Sequence, residues 1–243
     1  GEYHLSVRPI QRQLKELWQV SFSAGAVSNA QGQASEALGA PYAAIAEHVR
    51  GSDVAHADET RHPRGGVREH ACTWWMWVLT TGTASFFGVH FSRGKNAAAL
   101  LLGTFAGTLV TDDLGSYGVV PAARRQLCWA HLIRHFTAIA ERGGSGGKVG
   151  RRLLVLARAV IRTRHRFEDG RIGETIYRRR IGRLRSGIAR TLERGSQLRV
   201  DTRTRGQCRH LLGREALLWT FLGDRRIGLT NNVAERALRP YVI

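Results

Sequence analysis

The chain has 243 residues, 43% of them hydrophobic, with 37 Lys plus Arg against 19 Asp plus Glu, a formal net charge of +18 and a pI near 11.4. That length buries a sizeable core, as one elaborated domain or two, and the charge points to a phosphate-rich partner whose counterions are released on binding. No apolar stretch approaches the roughly 20 residues that cross a bilayer, no charged-then-apolar leader opens the chain, and Cys72, Cys128 and Cys208 are too few and too scattered for a disulfide framework. A cytoplasmic protein without a membrane partner is expected. All the basic residues except Lys15, Lys95 and Lys148 are arginine, the side chain suited to bidentate phosphate contacts. A GC-rich coding sequence is the other source of so much arginine.

In chain order, residues 1–52 read as a helical segment. Leu14, Leu17 and Trp18, then Ala43, Ile45, Ala46 and Val49, recur at helical intervals around a small, polar stretch from Ser21 to Ser28. Ser28-Asn29 starts a second helix on this reading. A helix-turn-helix is one interpretation and a plain helical support layer the other. From Val54 the period changes. Val54 to Asp58 is a short strand, Arg61 to Glu69 a polar turn, Cys72 to Thr80 an aromatic strand, and Ala84 to Phe91 a third strand beyond a tight connection. A helix over Asn96 to Phe105 follows, then a buried strand from Gly107 to Thr111, a short strand around Arg125 to Cys128 and a helix from Trp129 to Ala140. This is an α/β pattern: a mixed sheet with flanking helices. Core packing is expected for Trp75 and Trp77, which alternate along one strand face, and stacking on unpaired bases is the other reading of Trp74, Trp75 and Trp77.

The run Arg142-Gly-Gly-Ser-Gly-Gly-Lys148 reads as a flexible linker by composition. It opens a basic helical block, residues 142–222, that carries an arginine face, part of it solvated surface and part of it available to phosphate. Residues 223–243 close the chain, with Thr230-Asn-Asn-Val-Ala-Glu-Arg-Ala-Leu-Arg-Pro240 as their centre. Asn231, Glu235 and Arg239, four apart, stack an amide, a carboxylate and a guanidinium on one helix face, while Val233, Ala234, Ala237 and Leu238 pack on the other. A capping box of Asn232 and Glu235 is the bland alternative.

Asp58 and Asp112 each end a buried strand. Two such aspartates and a glutamate on a later helix suit two divalent ions with oxygen ligands, and hence phosphodiester cleavage and strand transfer. Arg93 and Lys95, in a turn before a helix, suit phosphate contact. Cys128 and His131 form a Cys-x-x-His pair without a second pair at zinc-finger spacing, so zinc is not expected. Taken in order, His56-Ala-Asp-Glu-Thr60, Ser92-Arg-Gly-Lys95, Leu109-Val-Thr-Asp112 with Tyr117, Cys128-Trp-Ala-His131 and the run from Thr230 to Pro240 resemble the catalytic region of transposases of the insertion-sequence 66 family, DDE enzymes with an RNase H-like core.

The resemblance runs from about Asp53 to the last residue. It implies Asp58, Asp112 and Glu235 as catalytic, metal-binding residues with Mg2+ or Mn2+, two ions, as cofactor. It implies double-stranded DNA, both element ends and target, as partner, and a homo-oligomer assembled on that DNA. It places Arg93, Lys95, His131, Arg134, Asn231, Asn232, Arg236 and Arg239 near DNA, divides the core between 53–141 and 223–243, and makes residues 142–222 an insertion. The chain departs from the family in its Asp112-Asp113 pair and in a longer turn after Asp58. It lacks the family's N-terminal region and the tail beyond Glu235, and is expected to be a piece of a longer protein. The rival readings are a non-catalytic nucleic-acid-binding remnant and an RNase H-like nuclease that hydrolyses without joining strands.

Overall fold

The computed structural model describes residues 5–62 and 73–242. Five strands, β1 (Val54–His62), β2 (Trp74–Thr80), β3 (Ser85–His90), β4 (Thr108–Thr111) and β5 (Arg125–Leu127), form one mixed sheet in the order β3-β2-β1-β4-β5. β1, β2 and β3 are antiparallel neighbours, and β4 and β5 join parallel to β1. The β2–β3 connection is tight because the Thr81 N–H donates to the Ala84 carbonyl while the Thr81 hydroxyl accepts from the Thr83 and Ala84 N–H groups. β1 runs four residues past its expected end at Asp58, since β2 pairs with it as far as His62 opposite Trp74. Most of the polar turn expected over 61–69 lies outside the described residues, as does Cys72.

Strand alternation sorts β1 between two cores. Ala55 and Ala57 face one side, packed with Trp77, Leu79 and Leu109, with Val49 of α3 (Gly39–Arg50), with Ala98 and Leu101 of α4 (Lys95–Leu102), and with Tyr117. On the other side Val110 and Leu127 meet α5 (Trp129–Ala140), whose Leu132, Phe136 and Ile139 are fully buried. The remaining helices are α1 (Val7–Trp18), α2 (Ala24–Ala37), α6 (Gly144–Glu168), α7 (Glu174–Ser196), α8 (Thr202–Leu212) and α9 (Asn232–Val242). α9 lies on the α5 side of the sheet through Ala234 and Leu238, against Val78 of β2. That apolar patch is small, so polar contacts carry much of α9's attachment.

The amino-terminal residues are helical as expected, but the second helix starts earlier, at Ala24. Ser23 caps it, its hydroxyl accepting the Ala26 N–H at 3.0 Å. α1 buries no residue, and Leu17 and Trp18 are exposed. Ala46 and Val49 of α3 pack this segment against the sheet.

The glycine-rich run expected as a flexible linker is instead the first turn of α6. Gly143 and Gly144 have positive φ, which suits glycine for the sharp turn out of α5. Beyond them the glycines answer to crowding. A Cβ on Gly150 would stand 2.3 Å from the backbone nitrogen of Ala140, and one on Gly146 would overlap the Asp201 carboxylate. α6, α7 and α8 then pack into the α5-side core, together with short 3-10 turns at Glu215–Leu218 and Thr220–Leu222. Trp129 at the start of α5 stacks edge-on against Trp219 and donates its indole N–H to the Leu218 carbonyl at 3.1 Å. Among the described residues no helix is long and apolar enough to cross a membrane.

Candidate active site

β1 and β4 run parallel with His56 beside Val110. Two residues further along come Asp58, in the middle of β1, and Asp112, just past the end of β4, so both carboxylates lie on the same side of the sheet. Asp58 Oδ1 accepts the Glu59 N–H at 2.9 Å and Asp112 Oδ1 accepts the Leu114 N–H at 2.9 Å, each leaving its other oxygen uncommitted by these bonds. Burial, followed by the charges of Glu59, Asp112 and Glu235, pushes the Asp58 carboxyl up to about 7, against the opposing bond from the Glu59 N–H.

Glu235 arrives from the opposite layer, in the first turn of α9. The start of that helix is fixed by Asn231, which is fully buried. Its side-chain amide donates to the Ala57 carbonyl at 2.8 Å, and its backbone N–H donates to Cys128 Sγ at 3.1 Å. With the amide nitrogen so assigned, Asn231 Oδ1 faces His56 Nδ1 at 3.3 Å, and the histidine must carry its proton on Nδ1 to donate there. One residue therefore ties α9 both to β1, one position before Asp58, and to the residue that opens α5. Burial lowers the pKa of His56 and raises that of Cys128, keeping both neutral.

The Glu235 carboxylate meets α5. Arg134 donates to Glu235 Oε1 at 3.0 Å and also reaches His131 Nε2 at 2.8 Å, while His131 Nδ1 lies 3.8 Å from Glu235 Oε1. Burial and the neighbouring Arg134 charge lower the pKa of His131. Among the described residues no three His, Cys, Asp or Glu side chains stand close enough to hold one ion together. The donor set still suits a hard divalent cation. It offers carboxylate oxygens from two adjacent strands and a third from α9, whose charge is felt at Asp58, and Glu235 is held by an exposed arginine rather than buried in a closed network.

The other expected site residues divide. Lys95, Asn232, Arg236 and Arg239 are exposed, as phosphate contact requires. Asn231 is not: its burial and its three partners make it a positioning residue, which corrects the expectation that it touches DNA. The capping box also fails, because α9 begins at Asn232 and the Glu235 N–H bonds to the Asn231 carbonyl. Arg93 is turned towards the sheet, where it donates to Glu59 Oε1 at 2.6 Å and lies over the Trp75 ring at 4.7 Å. Trp77 is core, in edge contact with Tyr117.

Several residues of consequence were missed in the sequence. Glu59, buried on the α4 side of β1, accepts from Arg93 and from the Tyr117 hydroxyl at 2.6 Å, and burial still raises its pKa. Its signal was the strand alternation itself, since a carboxylate in register with Ala55 and Ala57 must be paired. Asp113 binds His210 Nε2 at 2.6 Å in the last turn of α8 and the Arg214 guanidinium just beyond that helix. Arg125, buried in β5, donates to Thr111 Oγ1 and to the Asp112 and Leu114 carbonyls. It thereby holds the loop that carries the second aspartate.

A 220-residue stretch is 24% identical to the uncharacterized protein y4qI of Sinorhizobium fredii (strain NBRC 101917 / NGR234), covering 82% of this chain and 41% of that protein. The chain thus spans about two fifths of the relative's length. No solved structure matches. The family model described as Transposase IS66 family matches residues 2–243, and on that match across nearly its whole length the chain belongs to the IS66 transposase family.

Proposed function

We propose that this chain is the catalytic region of a DDE transposase with an RNase H-like core, cutting DNA at element ends and joining the 3′ ends to target DNA. The observation that carries the reading is the placing of Asp58 and Asp112 each two residues beyond the paired His56 and Val110 on adjacent parallel strands, with the charge of Glu235 felt at Asp58. Asp58, Asp112 and Glu235 would hold Mg2+ or Mn2+, two ions, which when bound supply activation of a water or 3′-hydroxyl and stabilisation of the leaving oxygen.

The chain's own residues do the rest. Asp58 would serve as the carboxylate rather than in the protonated form that its surroundings favour, and Glu235 would offer a cation the oxygen that Arg134 now holds. Arg134 would then be free for phosphate contact, as are the exposed Lys95, Arg236 and Arg239. DNA ends and target are the partners, and paired ends call for two or more copies of the chain.

Asp58→Ala and Glu235→Ala are expected to reduce Mg2+-dependent strand cleavage to background while duplex binding persists. Cleavage at the parent rate by either variant would refute the assignment. A strand-transfer assay with pre-cleaved ends separates joining from hydrolysis alone. The engagement of Glu235 by Arg134 favours one rival, a chain that binds DNA without cutting it, which predicts salt-sensitive binding and no cleavage with any divalent metal.

A further inference from the structure

We propose that the groove between α6 and α7 is a phosphate-binding track for duplex DNA, distinct from the acid cluster. Lys148 and Arg152 line it from α6, Arg190 and Arg194 from α7, and no acidic side chain does. Its walls stand close, since a Cβ on Gly187 would lie 3.3 Å from a Leu156 methyl. Within each pair the two cations are one helical turn apart, a spacing at which like charges repel and cost stability.

Elsewhere on the same helices arginines have acidic partners. Arg178 and Arg225 share Glu174, Arg185 meets Glu215 and Arg164 meets Glu168. Among the described residues none of the four groove cations joins an ion pair, although the chain forms such pairs on α5, α6, α7 and α8. Four unpaired cations on two facing helices form a site for a repeating anion, and a phosphodiester backbone is the anion whose charges repeat along a line.

The groove also lies within reach of a duplex held at the acids. α5 starts beside Glu235 and runs from His131 to Ala140, about 14 Å at 1.5 Å per residue, and Gly147 and Gly150 of α6 pack on Ala140. At 3.4 Å per base pair that is roughly four base pairs. Duplex DNA as occupant rests on the transposase reading above, whereas binding by the groove can be measured without metal and without cleavage.

The test is the salt dependence of affinity for a linear duplex in EDTA. A variant carrying Lys148→Ala, Arg152→Ala, Arg190→Ala and Arg194→Ala is compared with one carrying Arg158→Ala, Arg162→Ala, Arg179→Ala and Arg180→Ala. The second set is exposed on the same helices and removes the same charge. The groove variant is expected to lose about three to four from the slope of log affinity against log salt, at roughly 0.9 per phosphate contact, and the control about one or less. Equal losses in the two variants would reduce the effect to bulk charge and overturn the proposal, as would unchanged binding by the groove variant. Tighter, groove-dependent binding of duplex RNA than of duplex DNA would also overturn it. Arg190→Glu alone, which leaves the other three cations in place, should lower the slope by about one, and an unchanged slope counts against the groove. Duplex binding lost with the groove while cleavage of short substrates persists separates this site from the acid cluster, and retained binding in Asp58→Ala does so from the other side.

Discussion

Asp58 sits in a position that the metal-free fold penalises. Its carboxyl titrates near 7 in the folded chain, against an ordinary value of 3.8. Between those values the folded state holds a proton that the unfolded state has released. Stability therefore falls as pH rises from about 4 to 7 and levels off above. Asp58→Asn removes the penalty. The variant is expected to be more stable than the parent at pH 8 by about 2 kcal/mol, discounted from the full shift because the carboxyl is only part-buried, and to match it near pH 4. Thermal melts at the two pH values in EDTA check this, and an equal difference at both would remove the carboxyl repulsion as the cause. Added Mg2+ should close the gap at pH 8 by stabilising the parent alone, since a cation that binds the folded state shifts its melting upward. Asn231 illustrates the opposite economy, for each of its polar groups is satisfied internally and none remains for a ligand.

At the level of elements, glycine has two meanings that its letter does not distinguish. In α6, Gly150 sits where a methyl would meet the Ala140 backbone at 2.3 Å, whereas in α7 a Cβ on Gly182 would meet nothing within 4 Å. Gly150→Ala is expected to destabilise by roughly 2–3 kcal/mol, overpacking outweighing the gain in helix propensity. Gly182→Ala should stabilise by about 0.5–1 kcal/mol. Urea denaturation of the two variants reads opposite signs, and the same sign in both would contradict the crossing of α5 and α6. This ambiguity is why residues 142–148 read as a linker in sequence. The start and end of α5, by contrast, were legible at Trp129 and Ala140, because its apolar positions recur with helical period and a polar, glycine-rich run follows them. The sheet positions of Asp58 and Asp112 were legible from alternation, although β1 runs on to His62, past the strand end expected at Asp58. The partners that orient them were not: Asn231, Arg125 and Arg134 lie many residues from the groups they hold, and only the folded chain brings them together.

Across the whole molecule, Asp113 is the joint between the second acid and the helical block. Its carboxylate is shared by His210 and Arg214 of the α8 end, and it offsets the charge that Arg214 places near the buried Arg125. Asp113→Ala should cost about 1–2 kcal/mol, a charge-assisted contact that is only part-buried. It should also raise amide exchange in both α8 and the turn after β4. Exchange raised in one of these alone would mean that the two move independently. The same connectedness bears on how such a chain can be rebuilt. Residues of β4, β5, α5 and the helical block share one continuous core, with Trp129, Trp219 and Phe221 at its centre. Residues 144–222 are therefore no interchangeable cassette. Excising them, or grafting in the block of a distant relative, would strip the sheet's inner lining, and protein engineers should expect insoluble material rather than a smaller folded chain.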